Sequence, residues 1–290
     1  MNIEQALNFG KQELNKNEIE DSLLKVRILL TDILKQSKEY LVINNTKELS
    51  SQEEKEFKEK IEKLKLGYPI QYITNKQFFR NCEFYVDKNV LIPQPDTEIL
   101  ADRSGLHRSA GEKTFQKNKI NILDLCTGSG AIIVSLGKEL EKISEKYNFY
   151  GTDISEKAIE IAQKNANSNN VNVKFYLGDL FESINVNEKF DLIVSNPPYI
   201  ETDVIKTLSL EVQKEPIIAL DGGITGLDFY KRIAKESKNF LTTKGYLILE
   251  IGYNQMEAVC SILKNENFKI VSKVKDYANN DRVIVANLMD

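Results

Sequence analysis

The sequence has little of what a disulfide-bonded, zinc-binding or histidine-dependent protein needs. It contains one histidine, no tryptophan and three cysteines, Cys82, Cys126 and Cys260. The cysteines are too scattered for a disulfide framework or a zinc knuckle. A single histidine, His107, argues against a Ser/His or Cys/His relay and against most metal sites with histidine ligands. We therefore expect reduced thiols, no bound metal and a cytoplasmic location.

Arginine and long apolar runs are also scarce. Six of the 39 basic residues are arginines, and the formal net charge is −4. Arginine recognises phosphate and guanine through paired hydrogen bonds, whereas lysine is a solvated point charge, so this chain is a poor candidate for a dedicated duplex-DNA binder. No apolar run approaches the roughly 20 residues that cross a bilayer, and residues 1–10 do not resemble a signal peptide. We expect a monomer without stable nucleic-acid or membrane binding.

The N-terminal quarter of the chain has the periodicity of helices. Residues 1–69 carry apolar side chains at helical spacing, and Ser51 with Glu54 fits the pattern of a capping box. Gly67 followed by Tyr68-Pro69 predicts the end of that helix. The sequence therefore predicts an N-terminal helical domain over residues 1–69, which is either a small solvated bundle or a docking platform for a partner.

Residues 70–95 change to a pattern typical of strands. Two short aromatic runs, 77–79 and 84–86, flank Arg80-Asn81, which can form a turn. We interpret this segment as a hairpin linker between two domains.

The next segment combines prolines with a polar stretch. Two prolines stiffen residues 93–98, and Asp96 or Thr97 can cap a short helix. Residues 102–119 are polar and contain glycine and serine. We expect a loop or surface insertion there, with His107 exposed in it.

From residue 120 onward, apolar strands alternate with amphipathic helices. This alternation indicates a doubly wound, mainly parallel sheet, and the last two strands, which no helix separates, are expected to pair antiparallel. We predict a Rossmann-like α/β domain over residues 96–290. Its expected strands are 120–125, 148–152, 171–176, 190–194, 245–251, 268–274 and 282–288, and its expected helices are 130–142, 155–168, 228–240 and 254–265.

A glycine-containing loop follows the first of these strands. The apolar run 122–125 leads into Cys126–Gly130, and glycines at a strand-to-helix turn let the backbone approach a ligand closely. Asp153, after the next strand, can accept hydrogen bonds from both hydroxyls of a ribose. Ile133 stands where a dinucleotide site needs its third glycine, and the Gly-Lys-Ser/Thr of NTPases is absent. The segment is either a nucleoside-binding loop or merely a tight turn.

A proline-rich motif, Asn196-Pro197-Pro198-Tyr199, follows the strand at 190–194. Two prolines fix the backbone, so the Asn196 side-chain oxygen and the Pro197 carbonyl can accept the two hydrogens of a planar –NH₂ group. Tyr199 can stack on the conjugated system that carries this group. Such an arrangement suits methyl transfer to an amide or aryl amine, because placement in line with the methyl donor replaces a strong base. The alternative is a rigid surface turn.

These motifs together resemble a known family. The pattern Asp124-x-Cys126-x-Gly128-x-Gly130 is similar to the cofactor loop of S-adenosylmethionine-dependent methyltransferases. The Asn-Pro-Pro-Tyr motif is similar to that of enzymes that methylate amino groups of adenine, cytosine or glutamine. Within that group, residues 67–290 resemble the bacterial HemK/PrmC family, the peptide-chain release factor glutamine N5-methyltransferases. The further motifs that carry the resemblance are 90–98, 195–200, 215–216, 219–223, 226–227, 250–252 and 281–282.

The resemblance implies a substrate, a cofactor and a set of site residues. The substrate is the glutamine of the Gly-Gly-Gln motif in class 1 release factors, so the enzyme modulates translation termination. The cofactor is S-adenosyl-L-methionine, which leaves as S-adenosyl-L-homocysteine, and the helical domain recognises the substrate. Asn196, Pro197 and Tyr199 are the implied catalytic residues, and with Pro198 they hold the glutamine. The implied cofactor-binding residues are Asp124, Cys126, Thr127, Gly128, Ser129, Gly130, Asp153, Asn196, and, beside the adenine, Asp179 and Leu180.

The chain departs from the family pattern at three places. Gln94 stands where the family usually has arginine, and Cys126 stands where it usually has glycine. Residues 102–116 look unlike the continuous helix that normally follows the Pro-Asp-Thr-Glu motif.

Three other functions stay open at this point. An adenine-N6 methyltransferase acting on DNA or RNA shares the Asn-Pro-Pro-Tyr chemistry, but the negative charge and the few arginines argue against it. A glutamine N5-methyltransferase of a ribosomal protein is the second, and residues 92–98 favour release factors by resemblance only. A non-catalytic binding module is the third, and the intact motif Asn196–Tyr199 argues against it.

Overall fold

A computed structural model describes residues 1–111, 119–142 and 144–289, and for residues 105–111 it describes the backbone alone. The chain forms two compact units. The smaller unit comprises Met1–Lys76 and Ser209–Lys214, and the larger unit comprises Gln77–Leu208 and Glu215–Asp290. The three-part division expected from the sequence, with boundaries at residues 69 and 95, stays a prediction.

The smaller unit is built from short helices whose apolar faces meet. Leu14, Val26, Leu30, Phe57 and Ile61 are fully buried between these helices, as helical spacing of apolar residues predicts. The helices are α1 (Ile3–Lys16), α2 (Ser22–Leu34), α3 (Lys38–Ile43), α4 (Ser51–Lys65) and α5 (Ile70–Thr74).

The capping box at the start of α4 lies one residue earlier than we predicted. Ser50, and not Ser51, has the extended backbone of an N-cap residue, and its Oγ accepts a hydrogen bond from the backbone nitrogen of Glu53. The Glu53 side chain accepts one in return from Ser50 N (2.7 Å). Glu54, the partner predicted from the sequence, instead pairs with the amino group of Met1 (2.6 Å). Both Ser50 with Glu53 and Ser51 with Glu54 satisfy the local pattern of a capping box. The ion pair between Glu54 and Met1 decides between them.

The larger unit begins with the predicted hairpin, in which β1 (Gln77–Phe79) pairs antiparallel with β2 (Cys82–Phe84). We expected the second strand at residues 84–86, which is two residues too late. A tight turn with Arg80 at φ +52° sets Phe79 opposite Cys82. The chain leaves the hairpin at Tyr85, whose backbone N–H donates to Asn165 Oδ1 (2.7 Å).

The helix α6 (Thr97–Gly111) corrects our expectation of a loop from residue 102. Leu100 and Ala101 are fully buried, and the hydroxyl of the buried Ser104 donates to the backbone oxygen of Leu100 (2.8 Å). A helix thus satisfies the polar side chains whose frequency suggested a loop. The remainder of the expected loop, residues 112–118, and the side chain of His107 lie outside the described residues.

A seven-stranded sheet forms the centre of the larger unit, and it confirms the predicted Rossmann-like α/β fold. Its strands are β3 (Ile120–Leu125), β4 (Tyr147–Asp153), β5 (Val173–Leu177), β6 (Phe190–Ser195), β7 (Leu241–Glu250), β8 (Phe268–Lys275) and β9 (Asp281–Leu288). Their order is β5-β4-β3-β6-β7-β9-β8. The last strand pairs antiparallel with both of its neighbours, as predicted.

The helices of this unit connect the strands as crossovers. They are α7 (Ala131–Leu140), α8 (Glu156–Ser168), α9 (Ile217–Leu220), α10 (Asp228–Ser237) and α11 (Met256–Asn265). The chain moves from β3 to β4 in one direction along the sheet and from β6 to β7 in the other. Right-handed crossovers therefore place α7 and α10 on opposite faces. The reversal between β3 and β6 is the point at which open α/β sheets bind ligands.

Two kinds of feature, a membrane-spanning helix and a metal site, are absent from the described residues. Within the described ranges, no helix has both the length and the apolar character needed to cross a membrane. In those same ranges, no group of three or more His, Cys, Asp or Glu side chains is arranged to hold a metal ion.

Candidate active site

The register of the sheet brings four distant residues to one edge. Parallel pairing sets Leu125 beside Thr152 and Ser195, and it sets Ser195 beside Leu249. The residues that follow this row, one on each chain segment, are Cys126, Asp153, Asn196 and Glu250. The carboxyl ends of the parallel strands thus gather three side chains that we predicted to form the site, Cys126, Asp153 and Asn196, together with Glu250, for which we predicted no role.

The glycine loop, Cys126–Gly130, has several residues in left-handed conformations. The φ angle is +57° at Cys126, +54° at Gly128 and +80° at Gly130. A Cβ added at Gly128 would have open space around it, whereas one at Gly130 would lie 3.3 Å from Ala162 of α8. Gly128 therefore leaves room for a ligand, and Gly130 allows close helix packing. Cys126 adopts this conformation with a side chain, at a cost of about 1–2 kcal/mol.

Asp153 closes the glycine loop from the neighbouring strand. Its Oδ2 accepts a hydrogen bond from Gly128 N (2.9 Å), and its Oδ1 accepts one from Ser155 N (2.9 Å). Burial raises the pKa of this carboxyl, and the backbone donors oppose that shift. A carboxylate has about four lone-pair positions, so these two contacts leave acceptor capacity for a ligand.

Hydrogen bonds hold the glycine loop in shape. They involve Asp124, which precedes the loop, and Thr127 and Ser129 within it. Asp124 is fully buried, and its Oδ2 accepts a hydrogen bond from Thr127 Oγ1 (2.7 Å). Burial raises the pKa of the Asp124 carboxyl to about 7. The Ser129 backbone oxygen accepts a hydrogen bond from Asn165 Nδ2 (2.9 Å). These contacts fix the shape of the loop from behind.

Asp179 and Leu180 follow β5 and lie on the same side of the sheet as the glycine loop. Leu180 is buried with φ +50°. The Asp179 carboxylate pairs with Arg232 of α10, with 2.9 Å between Oδ2 and Nη2. The Arg232 guanidinium lies 6.0 Å from the centre of the Phe229 ring. No local sequence pattern indicates that Asp179 has a cationic partner.

The Asn196–Tyr199 motif begins directly after β6. Asn196 Nδ2 donates a hydrogen bond to Thr97 Oγ1 at the start of α6 (3.2 Å). Pro197 and Pro198 are buried. The Tyr199 ring packs against the apolar core of the sheet, and burial raises the pKa of its phenol well above the ordinary range.

A glycine-rich segment, Gly222–Gly226, packs on the backbone of this motif. A Cβ at Gly222 would lie 2.7 Å from Tyr199 Cα, and one at Gly226 would lie 2.3 Å from the Tyr199 backbone oxygen. Only glycine permits such an approach. Gln255 Nε2 also donates to the Tyr199 backbone oxygen (2.9 Å). The motif is therefore held by the backbone and side chains of two other segments.

A pocket of about 800 Å³, open space at its mouth included, lies between the glycine loop and the motif. Among the predicted site residues, those that line it are Cys126, Gly128, Asp153, Asp179, Leu180, Asn196 and Pro198. The predicted residues outside the lining are Asp124, Thr127, Ser129, Gly130, Pro197 and Tyr199. Concave, largely apolar walls with a few charged groups are typical of sites for small ligands.

The rest of the pocket wall received no role from the sequence. These residues are Asn89, Val90, Leu91, Thr152, Ile154, Ser155, Ala158, Ile218, Ala219, Phe229 and Arg232. The segment 89–91 is held in place by Glu215, whose Oε2 accepts a hydrogen bond from Ile92 N (2.8 Å). Burial raises the pKa of the Glu215 carboxyl to about 7. Val90, Leu91 and Ala219 lie in the family motifs 90–98 and 219–223, and Glu215 lies in the motif 215–216. These motifs could have assigned part of the wall to the site.

Gln94, which stands where the family usually has arginine, makes a local contact. Its side chain is exposed, and Nε2 donates to the backbone oxygen of Ile92 (3.0 Å). This hydrogen bond stabilises the turn that leads into α6.

The fold and the pocket define a class of protein. Residues 116–285 match the family model of a methyltransferase domain, and the chain is a member of the methyltransferases. In the catalytic domain of hMettl16, solved with an RNA hairpin of MAT2A, the same fold recurs. The alignment covers 71% of this chain and 76% of the hMettl16 chain, with a TM-score of 0.53 and 15% sequence identity. This likeness shows a shared fold alone.

Relatives with higher identity define the particular family. Residues 5–74 match the model of the PrmC N-terminal domain. The release factor glutamine methyltransferase of Clostridium acetobutylicum is 39% identical over 290 residues, which are 99% of this chain and 98% of that protein. The protein of that name from Fusobacterium nucleatum is 40% identical over 96% of this chain and 77% of its own. The chain belongs to the release factor glutamine methyltransferase family, which confirms the resemblance seen in the motifs.

Proposed function

We propose that this protein transfers a methyl group from S-adenosyl-L-methionine to the side-chain amide nitrogen of a glutamine, that of the Gly-Gly-Gln motif in class 1 release factors. The observation that carries the proposal is the position of Asn196. It lines the pocket opposite the glycine loop, and its Nδ2 is engaged by Thr97. Its Oδ1 is therefore the atom that can accept a hydrogen from an incoming amide.

The residues of the pocket fit the proposed cofactor. Gly128 leaves open space for a ligand, and Asp153 offers a carboxylate to the ribose hydroxyls. Leu180 supplies an apolar wall for the adenine, and the Asp179 carboxylate lies beside it. When bound, S-adenosyl-L-methionine would supply a methyl group activated by a sulfonium and would leave as S-adenosyl-L-homocysteine, while the amide nitrogen releases one proton as or after it takes up the methyl group.

The motif itself performs the orienting part of the reaction. An amide nitrogen is a poor nucleophile because its lone pair is delocalised into the carbonyl group. Asn196 Oδ1 and the Pro197 backbone oxygen accept its two hydrogens, which fixes the –NH₂ group and increases the electron density on nitrogen. Tyr199 stacks on the amide plane. Precise placement of this kind accounts for much of the rate enhancement when no strong base is present.

The proposal extends to the partner and the surroundings of the enzyme. We assign recognition of the release factor to the helical unit, whose residues 5–74 match the PrmC N-terminal domain. Cys82, Cys126 and Cys260 are free thiols, as a cytoplasmic enzyme requires. We expect a monomer that forms no stable complex with nucleic acid.

The test compares three classes of acceptor. The protein is incubated with S-adenosylmethionine labelled in its methyl group and, in separate reactions, with a class 1 release factor, a ribosomal protein preparation and duplex DNA. We expect label in the release factor alone. A release factor whose Gly-Gly-Gln glutamine is replaced by alanine is the matched control, and it should take up no label.

Each other outcome points to a different function. Label in the ribosomal proteins alone would identify the sister enzyme of the family. Label in DNA alone would overturn the choice of a protein substrate. No label in any acceptor, with cofactor bound, would favour a binding module without catalysis.

A further inference from the structure

A buried polar group behind the Asn196–Tyr199 motif has no part in the mechanism described so far. Glu250 is the last residue of β7 and is 2% exposed, and Thr97 is the first residue of α6 and is 4% exposed. Ser195 pairs with Leu249, so Asn196 and Glu250, which follow them, lie side by side at the carboxyl edge of the sheet. Hydrogen bonding from Thr97 and Asn196 opposes the rise in the pKa of the Glu250 carboxyl. Three segments that are distant in the sequence therefore meet at one carboxyl group.

The directions of these hydrogen bonds follow from the chemistry of the groups. Above its pKa of about 7 the Glu250 carboxyl is ionised and can only accept hydrogen bonds, and a hydroxyl has one hydrogen to donate. The Thr97 hydroxyl therefore donates to Glu250, and its oxygen is left to accept from Asn196. Asn196 Nδ2 lies 3.2 Å from Thr97 Oγ1 and is the donor. The opposite atom of the amide, Oδ1, is then directed away from both partners.

We propose that Glu250 and Thr97 are positioning residues that hold the side-chain amide of Asn196 in one of its two orientations, with Oδ1 as the acceptor for the substrate. The inference rests on the proposed function, in which Asn196 accepts a hydrogen from an –NH₂ group. In the flipped orientation, the –NH₂ group of Asn196 would face the –NH₂ group of the substrate, and two donors cannot form a hydrogen bond with each other. Without a fixed partner, the two orientations of an asparagine differ little in energy.

The surroundings of Glu250 support a specific role for its charge. Burial raises the pKa of the Glu250 carboxyl to about 7, while hydrogen bonds from Thr97 and the charge of Arg282 oppose that shift. A buried carboxylate is costly, and an apolar residue of similar size often serves stability equally well. One of the two Glu250 oxygens, Oε2, even lacks a hydrogen-bond partner. Stability alone therefore does not account for a glutamate at this position.

An ion-pair cluster keeps Thr97 beside Glu250. Arg282 of β9 pairs with Asp96 Oδ2 (3.2 Å) and with Asp276 Oδ2 (3.0 Å). Because Asp96 immediately precedes α6, this cluster ties the start of that helix to the sheet. The Thr97 hydroxyl is thereby fixed at the end of β7.

The test uses substitutions that keep size and change hydrogen bonding. We expect T97V and E250Q to lower kcat for release factor methylation roughly 10–100-fold, less than the effect of removing a directly contacting group. The KM for the release factor and the affinity for S-adenosylmethionine should stay within about threefold of the wild type, because Asn196 orients the reacting amide and contributes little to the binding of either molecule. T97S, which keeps the hydroxyl, should recover most of the kcat that T97V loses.

A matched control comes from the opposite end of the same strand. The Thr242 hydroxyl donates to Asp191 Oδ1 (3.0 Å), so T242V removes a threonine hydroxyl that donates to a carboxylate without touching the motif. We expect T242V to leave kcat at the wild-type value. The double variant T97V/E250Q should lose no more than the worse single variant, because the two residues act through one chain of hydrogen bonds.

The outcomes separate this inference from the proposed function. If the wild type methylates the release factor and T97V and E250Q have the kcat of T242V, the positioning role is refuted while the function stands. The same conclusion follows if T97S is as slow as T97V, or if the loss appears only in KM or cofactor affinity. If the wild type labels no acceptor at all, the proposed function itself has failed.

Discussion

At the scale of single residues, the proposed site combines one acceptor for the substrate with carboxylates for the cofactor. Asn196 and Asp153 come one position after the same row of the sheet, on the two strands that flank β3, so their spacing is set by rigid strands. Sites built on regular elements hold their groups more precisely than sites built on loops. The consequences of changing either residue should therefore be local.

Asn196→Ala should lower kcat for release factor methylation by about 10²–10³, the effect of losing one preorganised hydrogen-bonding group. Single-turnover assays with saturating cofactor measure this change. Asn187→Ala is the matched control, because Asn187 lies exposed in the turn before β6. A variant that methylates at the wild-type rate would refute the role of the motif.

Asp153→Asn should weaken binding of S-adenosylmethionine about 10–100-fold with the fold intact. A hydrogen bond to a charged group contributes about 1.5–3 kcal/mol, and the amide keeps the size of the side chain. Calorimetric titration measures the affinity, and thermal unfolding checks the fold. Asp21→Asn serves as the control. The Asp21 side chain makes no capping hydrogen bond, and its backbone has a left-handed conformation that asparagine also tolerates. Unchanged affinity in Asp153→Asn would contradict the ribose assignment.

The left-handed Cys126 allows a test of backbone strain. Glycine avoids the steric cost of φ +57° but loses more entropy on folding, whereas alanine keeps the Cβ that causes the strain. Cys126→Gly should therefore be about 0.5–1 kcal/mol more stable than Cys126→Ala. Urea unfolding of the two variants gives the difference directly. Equal stability, or an advantage for alanine, would show that the loop relaxes around the side chain.

At the scale of elements, the site depends on segments that never touch the pocket. Gln255, at the start of α11, donates to the backbone oxygens of Tyr199 (2.9 Å) and Gly226 (3.3 Å). Its Oε1 accepts from Gly252 N (2.9 Å). One side chain thus links three loops at the carboxyl edge of the sheet.

Gln255→Met should lower kcat roughly 10–100-fold and the free energy of unfolding by about 2 kcal/mol. The apolar side chain keeps the length but leaves buried backbone groups without partners, and small displacements of a positioning loop are costly for the rate. Gln163→Met is the matched control, since Gln163 forms only an exposed hydrogen bond with Asn167 on α8. If both variants lose stability and activity to the same small extent, the linking role of Gln255 is wrong.

At the scale of the whole molecule, the two units respond to pH in opposite directions. In the larger unit, burial raises the pKa of Asp124, Glu215 and Glu250 to about 7. In the smaller unit, hydrogen bonds from Lys58 and the N-terminal amine lower the pKa of Glu54 to about 2. The chain has a single histidine, the side-chain type whose ordinary pKa lies between about 5 and 7.

The sign of the effect follows from which state binds more protons. Between about pH 4 and pH 7 the folded larger unit keeps protons that the unfolded chain releases, so its stability falls as pH rises, by at most about 1.4 kcal/mol per pH unit for each group. The smaller unit instead loses the contribution of Glu54 as pH falls below about 4. Segment-resolved hydrogen exchange of the full chain at several pH values measures both trends.

Asp124→Asn provides the control for this prediction. The substitution removes one titrating group and keeps the acceptor for Thr127. The free energy of unfolding of the larger unit should therefore depend less steeply on pH between pH 4 and pH 7, while that of the smaller unit should not change. A larger unit that gains stability from pH 5 to pH 7 would contradict the assignment of buried protons.

The elements of the fold could be predicted from the sequence wherever local pattern and burial agree. The alternation after residue 120 gave the sheet, because buried strands and amphipathic helices have different periods. Predictions failed where composition or a local signal competed with a tertiary contact. The polar residues of α6 suggested a loop, and the capping box was assigned to Glu54, which pairs with Met1 instead.

The sequence by itself determined the class of the molecule and the motifs of its site. Its single histidine argued against a catalytic relay, its few arginines argued against a dedicated duplex-DNA binder, and the order of glycine loop, Asp153 and Asn196–Tyr199 indicated the chemistry. Only the tertiary structure decided how these pieces cooperate. The register of β3, β4, β6 and β7 placed four distant residues in one row. The packing of helices on the sheet paired Asp179 with Arg232 and brought Thr97 to Asn196. Such pairings join residues far apart along the chain, and no local pattern carries them.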